Sequence, residues 1–137
     1  MVSRMSWEDH HRLCEEGTFE ELVNYIDSER DPLERDCLYI GTVNMCFDCR
    51  SNRTELAMAI GTRYLHEFYE REAPFGVGRK PDARVLKRMA LMFERSARFE
   101  MGVWACDVAL AFGITDDETK GGFKARRDKL KSATNGG

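Results

Sequence analysis

Apolar residues recur along most of this chain at the spacing of a helix face. Leu86, Met89, Ala90 and Phe93 fall at i, i+3, i+4 and i+7, and Phe99, Gly102, Val103 and Cys106 repeat the spacing. Leu56, Ile60, Tyr64 and Phe68 form a stripe at every fourth residue. Two segments are apolar almost all round: 37–47 carries no charge, and 101–113 carries only Asp107. Helices of that kind need neighbours on several sides. Both are shorter than the roughly 18 residues a membrane span requires, so they are expected to be central helices of a layered bundle.

Helix starts punctuate these stripes. Ser6-Trp7-Glu8-Asp9, Thr18-Phe19-Glu20-Glu21, Asn52-Arg53-Thr54-Glu55 and Thr115-Asp116-Asp117-Glu118 each put a capping side chain shortly before an acid. The cap oxygen can accept from an orphan amide, and the acid suits the positive helix end. Asp31-Pro32-Leu33-Glu34 adds a first-turn proline, and Pro81 is expected to do the same for a later helix. Gly17 and Gly113 stand where left-handed C-cap glycines belong. The expected helices are 6–16, 18–29, 32–48, 53–72, 82–96, 99–113 and 116–132, all in one domain spanning 1–137. Short loops make consecutive helices antiparallel neighbours. The expectation is all-α: three stacked helical hairpins over 6–113, a C-terminal capping helix at 116–132, and a flexible tail at 133–137.

Composition narrows the class. The 137 residues are 42% hydrophobic and 33% charged, which describes a globular chain with a wet surface. No apolar run follows the first few residues, so the chain is expected to lack a secretory signal and to be cytoplasmic. Five cysteines, an odd number, are expected to be reduced there. Charge is uneven: residues 1–72 carry 8 Lys/Arg against 16 Asp/Glu, whereas 73–137 carry 13 against 8. Such a dipolar chain can orient an approaching partner.

Residues 86–110 resemble a tetratricopeptide repeat. Leu86, Met89, Ala90 and Phe93 match its first helix, and Phe99, Gly102, Cys106 and Ala109 match its turn and second helix. Earlier segments match more loosely. Gly17 and Phe19 resemble a first turn, but Glu29 stands where a small residue belongs; Cys37, Ile40, Gly41 and Ala57 resemble a second unit. The resemblance implies a right-handed superhelix of about seven helices with a terminal cap. It also implies a protein- or peptide-binding groove lined by first-helix residues, which here are Arg84, Lys87, Arg88, Leu91 and Arg95. Some members grip carboxylates, and Arg84 and Arg88 resemble their basic pair, although Tyr39 stands where an asparagine would complete the clamp. An acidic ligand suits guanidinium groups, which pair bidentately with carboxylates.

Other motifs carry weaker chemistry. Cys46-Phe47-Asp48-Cys49 is a CxxC, but zinc needs four ligands and no second such pair exists. His10, His11 and Cys14 would complete a site only if the first helix lay beside the end of the third. The two cysteines are therefore expected to be structural, with no metal and no cofactor. His10-His11 is expected to give one exposed and one half-buried ring, and His66 is alone in its helix. Nothing suggests a triad, so no enzyme is expected. Gly76-Val77-Gly78-Arg79-Lys80 lacks the full phosphate-loop pattern. On the last helix, Phe123 and Leu130 are expected to dock while Lys120, Lys124, Arg126, Arg127, Lys129 and Lys131 face outward. A pI of about 5.7 argues against a nucleic-acid partner.

The sequence reading is thus a protein-binding adaptor with no membrane association and with homodimerisation open. The alternatives are a nucleic-acid-associated regulator using the basic last helix, or a small inhibitory protein, such as one from a mobile element, using its acidic amino half.

Overall fold

A computed structural model describes residues 6–48, 52–72 and 78–135. They form seven α-helices, with no strand among them. No helix among the described residues is long and apolar enough to cross a membrane. The chain divides into two compact units, Met1–Tyr64 and Leu65–Gly137.

The first unit holds α1 (Trp7–Glu16), α2 (Phe19–Asp27), α3 (Pro32–Asp48) and the first part of α4 (Thr54–Glu72). Ser6 caps α1 through its hydroxyl, which accepts from the Asp9 amide at 3.2 Å. Thr18 and Glu21 close a reciprocal capping box on α2, both bonds at 3.1 Å. Gly17 differs from its expected left-handed cap: its φ is −78° and its ψ 168°, which is extended backbone. It is glycine for a different reason, because a Cβ there would press to 2.5 Å from the Leu13 carbonyl oxygen. Asn52 likewise is not the cap of α4; it takes a left-handed φ of 52°, and the helix begins at Thr54.

Both α1 and α2 pack against α3. Cys14, Leu22, Ile26, Tyr39, Val43 and Cys46 are fully buried. His10 is buried too, while His11 stays partly open and pairs with Glu15 at 3.2 Å. The His10 Nε2 lies 2.9 Å from the Thr42 Oγ1, whose own hydrogen goes to the Leu38 carbonyl at 2.7 Å. Thr42 is thereby left to accept, so His10 donates from Nε2. Nearer the start of α3, Asp27 takes Arg35 at 2.6 Å and Arg63 at 3.1 Å, and Arg63 donates to the Tyr39 hydroxyl at 2.6 Å. Arg35 also donates to the Ile26 and Glu29 carbonyls at 3.1 and 3.3 Å, satisfying the open end of α2. Burial opposes ionisation of Asp27, but the hydrogen bonds and charges of the two arginines outweigh it and hold its carboxyl below the ordinary value.

The second unit holds the rest of α4, α5 (Ala83–Arg95), α6 (Phe99–Ala111) and α7 (Gly122–Asn135). Here α6 packs against both α5 and α7, as its nearly unbroken apolar surface requires. The Asp82 carboxylate, 2.9 Å from the Val85 amide, starts α5; Pro81 is buried just before this cap rather than inside the helix. Leu86, Met89, Ala90, Ala105, Cys106, Ala109 and Phe123 are wholly buried. Gly102 has no side chain where Leu130 of α7 comes in: a Cβ there would meet the Leu130 Cδ1 at 2.9 Å and the Phe93 Cβ at 3.6 Å.

Both α5 and α6 end in the same left-handed turn. The Arg98 amide donates to the Phe93 carbonyl at 2.7 Å and the Ala97 amide to Glu94 at 3.1 Å; Ile114 to Ala109 and Gly113 to Leu110 repeat the pattern at 2.8 and 3.0 Å. Each is the double bond of a Schellman motif. Gly113 takes the left-handed residue at φ 78°, but the equivalent position after α5 is Ala97 at φ 60°. An alanine there bears steric strain that a glycine avoids. Ala97→Gly is expected to stabilise the protein by about 0.5–1 kcal/mol after the entropy of the freer unfolded chain is subtracted. A higher urea midpoint with an unchanged slope would record it.

The last helix departs from expectation at both ends. It begins at Gly122, not near residue 116, and it continues to Asn135 through most of the expected tail. Asp116 and Asp117 form a turn instead of a helix start: Asp116 accepts from the Glu118 amide at 2.8 Å and Asp117 from the Thr119 amide at 3.0 Å. Glu118, Gly121 and Gly122 all have positive φ. At Gly122 any Cβ would overlap the Thr115 carbonyl oxygen, which instead accepts from the Phe123 amide at 2.9 Å. At the far end nothing after Leu130 breaks a helix until Gly136 and Gly137.

Candidate binding face

Burial on one side of α5 defines the opposite side. Val85, Leu86, Met89, Ala90 and Phe93 point into the second unit. Arg84, Lys87, Arg88, Leu91 and Arg95 stand at i, i+3, i+4, i+7 and i+11, which places all five along one outer stripe. At 1.5 Å per residue the stripe is about 16 Å long, the reach of about five residues of extended chain.

The five residues are not equivalent. Arg84 and Arg95 are exposed and have no partner among the described residues. Lys87 is half-buried and reaches Glu118, itself largely in solvent, at 3.5 Å. Arg88 is also half-buried, and Leu91 offers a partly open apolar surface between the charges. Arg84 sits in the first turn, where the helix dipole is positive and a cation is disfavoured. Arg84 with Lys87 and Arg84 with Arg88 are like-charge pairs at three- and four-residue spacing, which also disfavour the helix. The Asp82 cap offsets part of this charge.

Basic residues of α7 are placed differently. Arg126 pairs with Asp117 at 2.7 Å, Arg127 with Asp107, and Lys129 with Glu94 at 3.3 Å. Phe123 and Leu130 are buried, as their spacing indicated. Lys120, Lys124 and Lys131 remain exposed without a partner among the described residues.

A concave feature elsewhere in the second unit was not evident in the sequence. The end of α4 and the length of α6 enclose a groove of about 390 Å³, lined by His66, Tyr69, Glu70, Trp104 and Val108 among others. The His66 ring stacks on Trp104 with centroids 4.7 Å apart, so His66 is not isolated as its helix suggested. Tyr69 meets Phe112 edge-on at 5.8 Å. The periodicity of α6 could not show which way Trp104 points, because almost every position of that helix is apolar.

The cysteine motif is only partly described, since Cys49 lies outside the described residues. Cys46 does meet the first helix, because Cys14 lies beside it. His10, however, is turned to Thr42. No group of three or more His, Cys, Asp or Glu that could hold a metal occurs among the described residues. Residues 76 and 77 of the glycine-rich segment also lie outside the described residues; Arg79 is held near Glu72 at 3.8 Å. No family model matches the chain, and none of the curated proteins or solved structures does.

Proposed function

We propose that this chain is a protein-interaction module that binds an acidic, extended segment of a partner along the outer face of α5. The observation that carries the reading is the crowding of Arg84, Lys87 and Arg88 on adjacent turns at the positive end of a helix. That arrangement works against the helix and favours an anion. Carboxylates spaced along an extended segment would meet Arg84, Arg88 and Arg95 in turn, and an apolar side chain would cover Leu91. The packing of α5 on α6 keeps the stripe straight, so little ordering is needed on binding. In this reading the chain acts by binding, not by catalysis. The hairpins belong to a tetratricopeptide-like stack; the buried small residues Ala90, Gly102 and Ala109 support that assignment.

A fluorescent peptide of alternating glutamate and leucine tests the reading by anisotropy. Arg84→Glu with Arg88→Glu is expected to weaken its binding at least about tenfold, since each lost charge-assisted contact is worth on the order of 1.5–3 kcal/mol. Both side chains lie on the outer face, so the circular dichroism spectrum stays the same. Undiminished binding by the double variant would refute the assignment.

The nucleic-acid reading draws support from the exposed Lys120, just before α7, and Lys124 and Lys131 on it, but Arg126, Arg127 and Lys129 are already held by carboxylates. Its signature would be steep salt dependence, lost when those three lysines become glutamate.

A further inference from the structure

We propose that Cys14 and Cys46 form a redox modification site, a thiol pair that exchanges with a low-molecular-weight disulfide and closes into a bond tying α1 to α3. The two residues are 32 positions apart, and packing of α1 on α3 brings them together. Both are fully buried. The Cys46 thiol donates to the Cys14 carbonyl oxygen at 3.7 Å, which brings the Cys14 thiol beside it. Arg53 reaches the same point, its Nη1 donating to the Cys14 carbonyl at 3.1 Å. A guanidinium thus shares with the Cys46 thiol the same carbonyl oxygen.

These neighbours distinguish Cys46 from the other buried thiols. The Cys14 thiol donates to its sulfur and Arg53 adds positive charge, which together outweigh burial and hold Cys46 below the ordinary value. Burial alone dominates at Cys106, whose thiol is pushed up to about 11. The thiolate is the attacking species in exchange, so Cys46 attacks and Cys14 resolves.

The exchange balances as follows. The Cys46 thiolate attacks one sulfur of oxidised glutathione, whose S–S bond breaks and releases one glutathione thiolate. The Cys14 thiol gives up its proton and attacks the Cys46 sulfur of the mixed disulfide, releasing the second glutathione. Two protein thiols lose two electrons and two protons, and one glutathione disulfide becomes two glutathione thiols. Because both sulfurs are buried, the first step follows local opening of α1, the ten-residue helix at the edge of the first unit.

The test treats the folded full-length Cys37→Ser protein, which lacks only an exposed thiol, with oxidised glutathione. Free thiols are then alkylated and the peptides mapped. A linked peptide containing Cys14 and Cys46 is expected, with Cys106 still reduced. Adding Cys14→Ser is expected to stop the reaction at glutathionylated Cys46, whereas Cys46→Ser leaves Cys14 unmodified. A Cys46–Cys49 link, equal reaction of Cys106, or no reaction of Cys46 would each overturn the proposal. The Cys37→Ser map decides this even if the double variants fold poorly.

Discussion

Asp117→Asn is expected to cost about 1.5–3 kcal/mol of folding stability, the range for losing a hydrogen bond to a charged group. The Asp117 side chain has no exposed surface, and Arg126 beside it is nearly as enclosed, with their charged atoms 2.7 Å apart. The same carboxylate takes the Thr119 hydroxyl and, at 3.0 Å, the Thr119 amide. It therefore holds the turn that precedes α7 and neutralises the largely enclosed Arg126 guanidinium of that helix. An asparagine keeps the shape but leaves Arg126 buried against a neutral group; its other acid, Glu94, lies 4.0 Å away.

A pH signature accompanies this loss. Burial raises the Asp117 carboxyl, but the hydrogen bonds from Thr119 and Arg126 more than reverse that, and its folded value lies below the ordinary 3.8. A carboxyl depressed by folding contributes stability that is fully present above its unfolded value and disappears as pH falls through its folded value. The gap between wild type and Asp117→Asn is thus expected to be constant above about pH 5 and to narrow below pH 3.8. Urea melts of both proteins at several pH values would show it. A gap that widened in acid would contradict the assignment.

Leu130→Ala is expected to cost about 3–4 kcal/mol, within the range for emptying a buried leucine site. Leu130 fills the space left by the missing side chain of Gly102, so nothing opposite it can relax into the void. That pairing makes a sharper prediction. In the wild type, a Cβ at residue 102 would press on the Leu130 Cδ1 at 2.9 Å. With Leu130→Ala in place, the same methyl partly refills the cavity and gains the roughly 1 kcal/mol helix preference of alanine over glycine. Gly102→Ala is therefore expected to be more favourable in the Leu130→Ala background than alone. Simple additivity of the two changes would show that the residues do not share one space.

How far the sequence revealed this architecture differs from element to element. The helix starts at Ser6 and Thr18 could be read because a capping side chain is a local device whose partners lie within a turn; at α5 the cap is Asp82, where the sequence points to a first-turn Pro81. The inner and outer faces of α5 could be read because its apolar residues, Leu91 apart, gather on one side. The start of α7 could not. Asp116 and Asp117 read as first-turn acids, yet their carboxylates are used in a turn and in a pair with Arg126 nine residues on. Nor could the groove beside Trp104 or the Cys14–Cys46 contact be found, since both depend on helices distant in sequence coming together. The candidate stripe on α5 was legible in position, but not the partial neutralisation of Lys87 by Glu118, a residue that reaches it only through the unexpected turn.

The central claim is that the outer face of α5 is where a partner binds. Titrating the isotopically labelled protein with the glutamate–leucine peptide, and following every backbone amide by two-dimensional NMR, tests it most directly. The account predicts that the largest shifts cluster between Arg84 and Arg95. Shifts confined to the His66–Trp104 groove or to α7, with α5 unmoved, would contradict it.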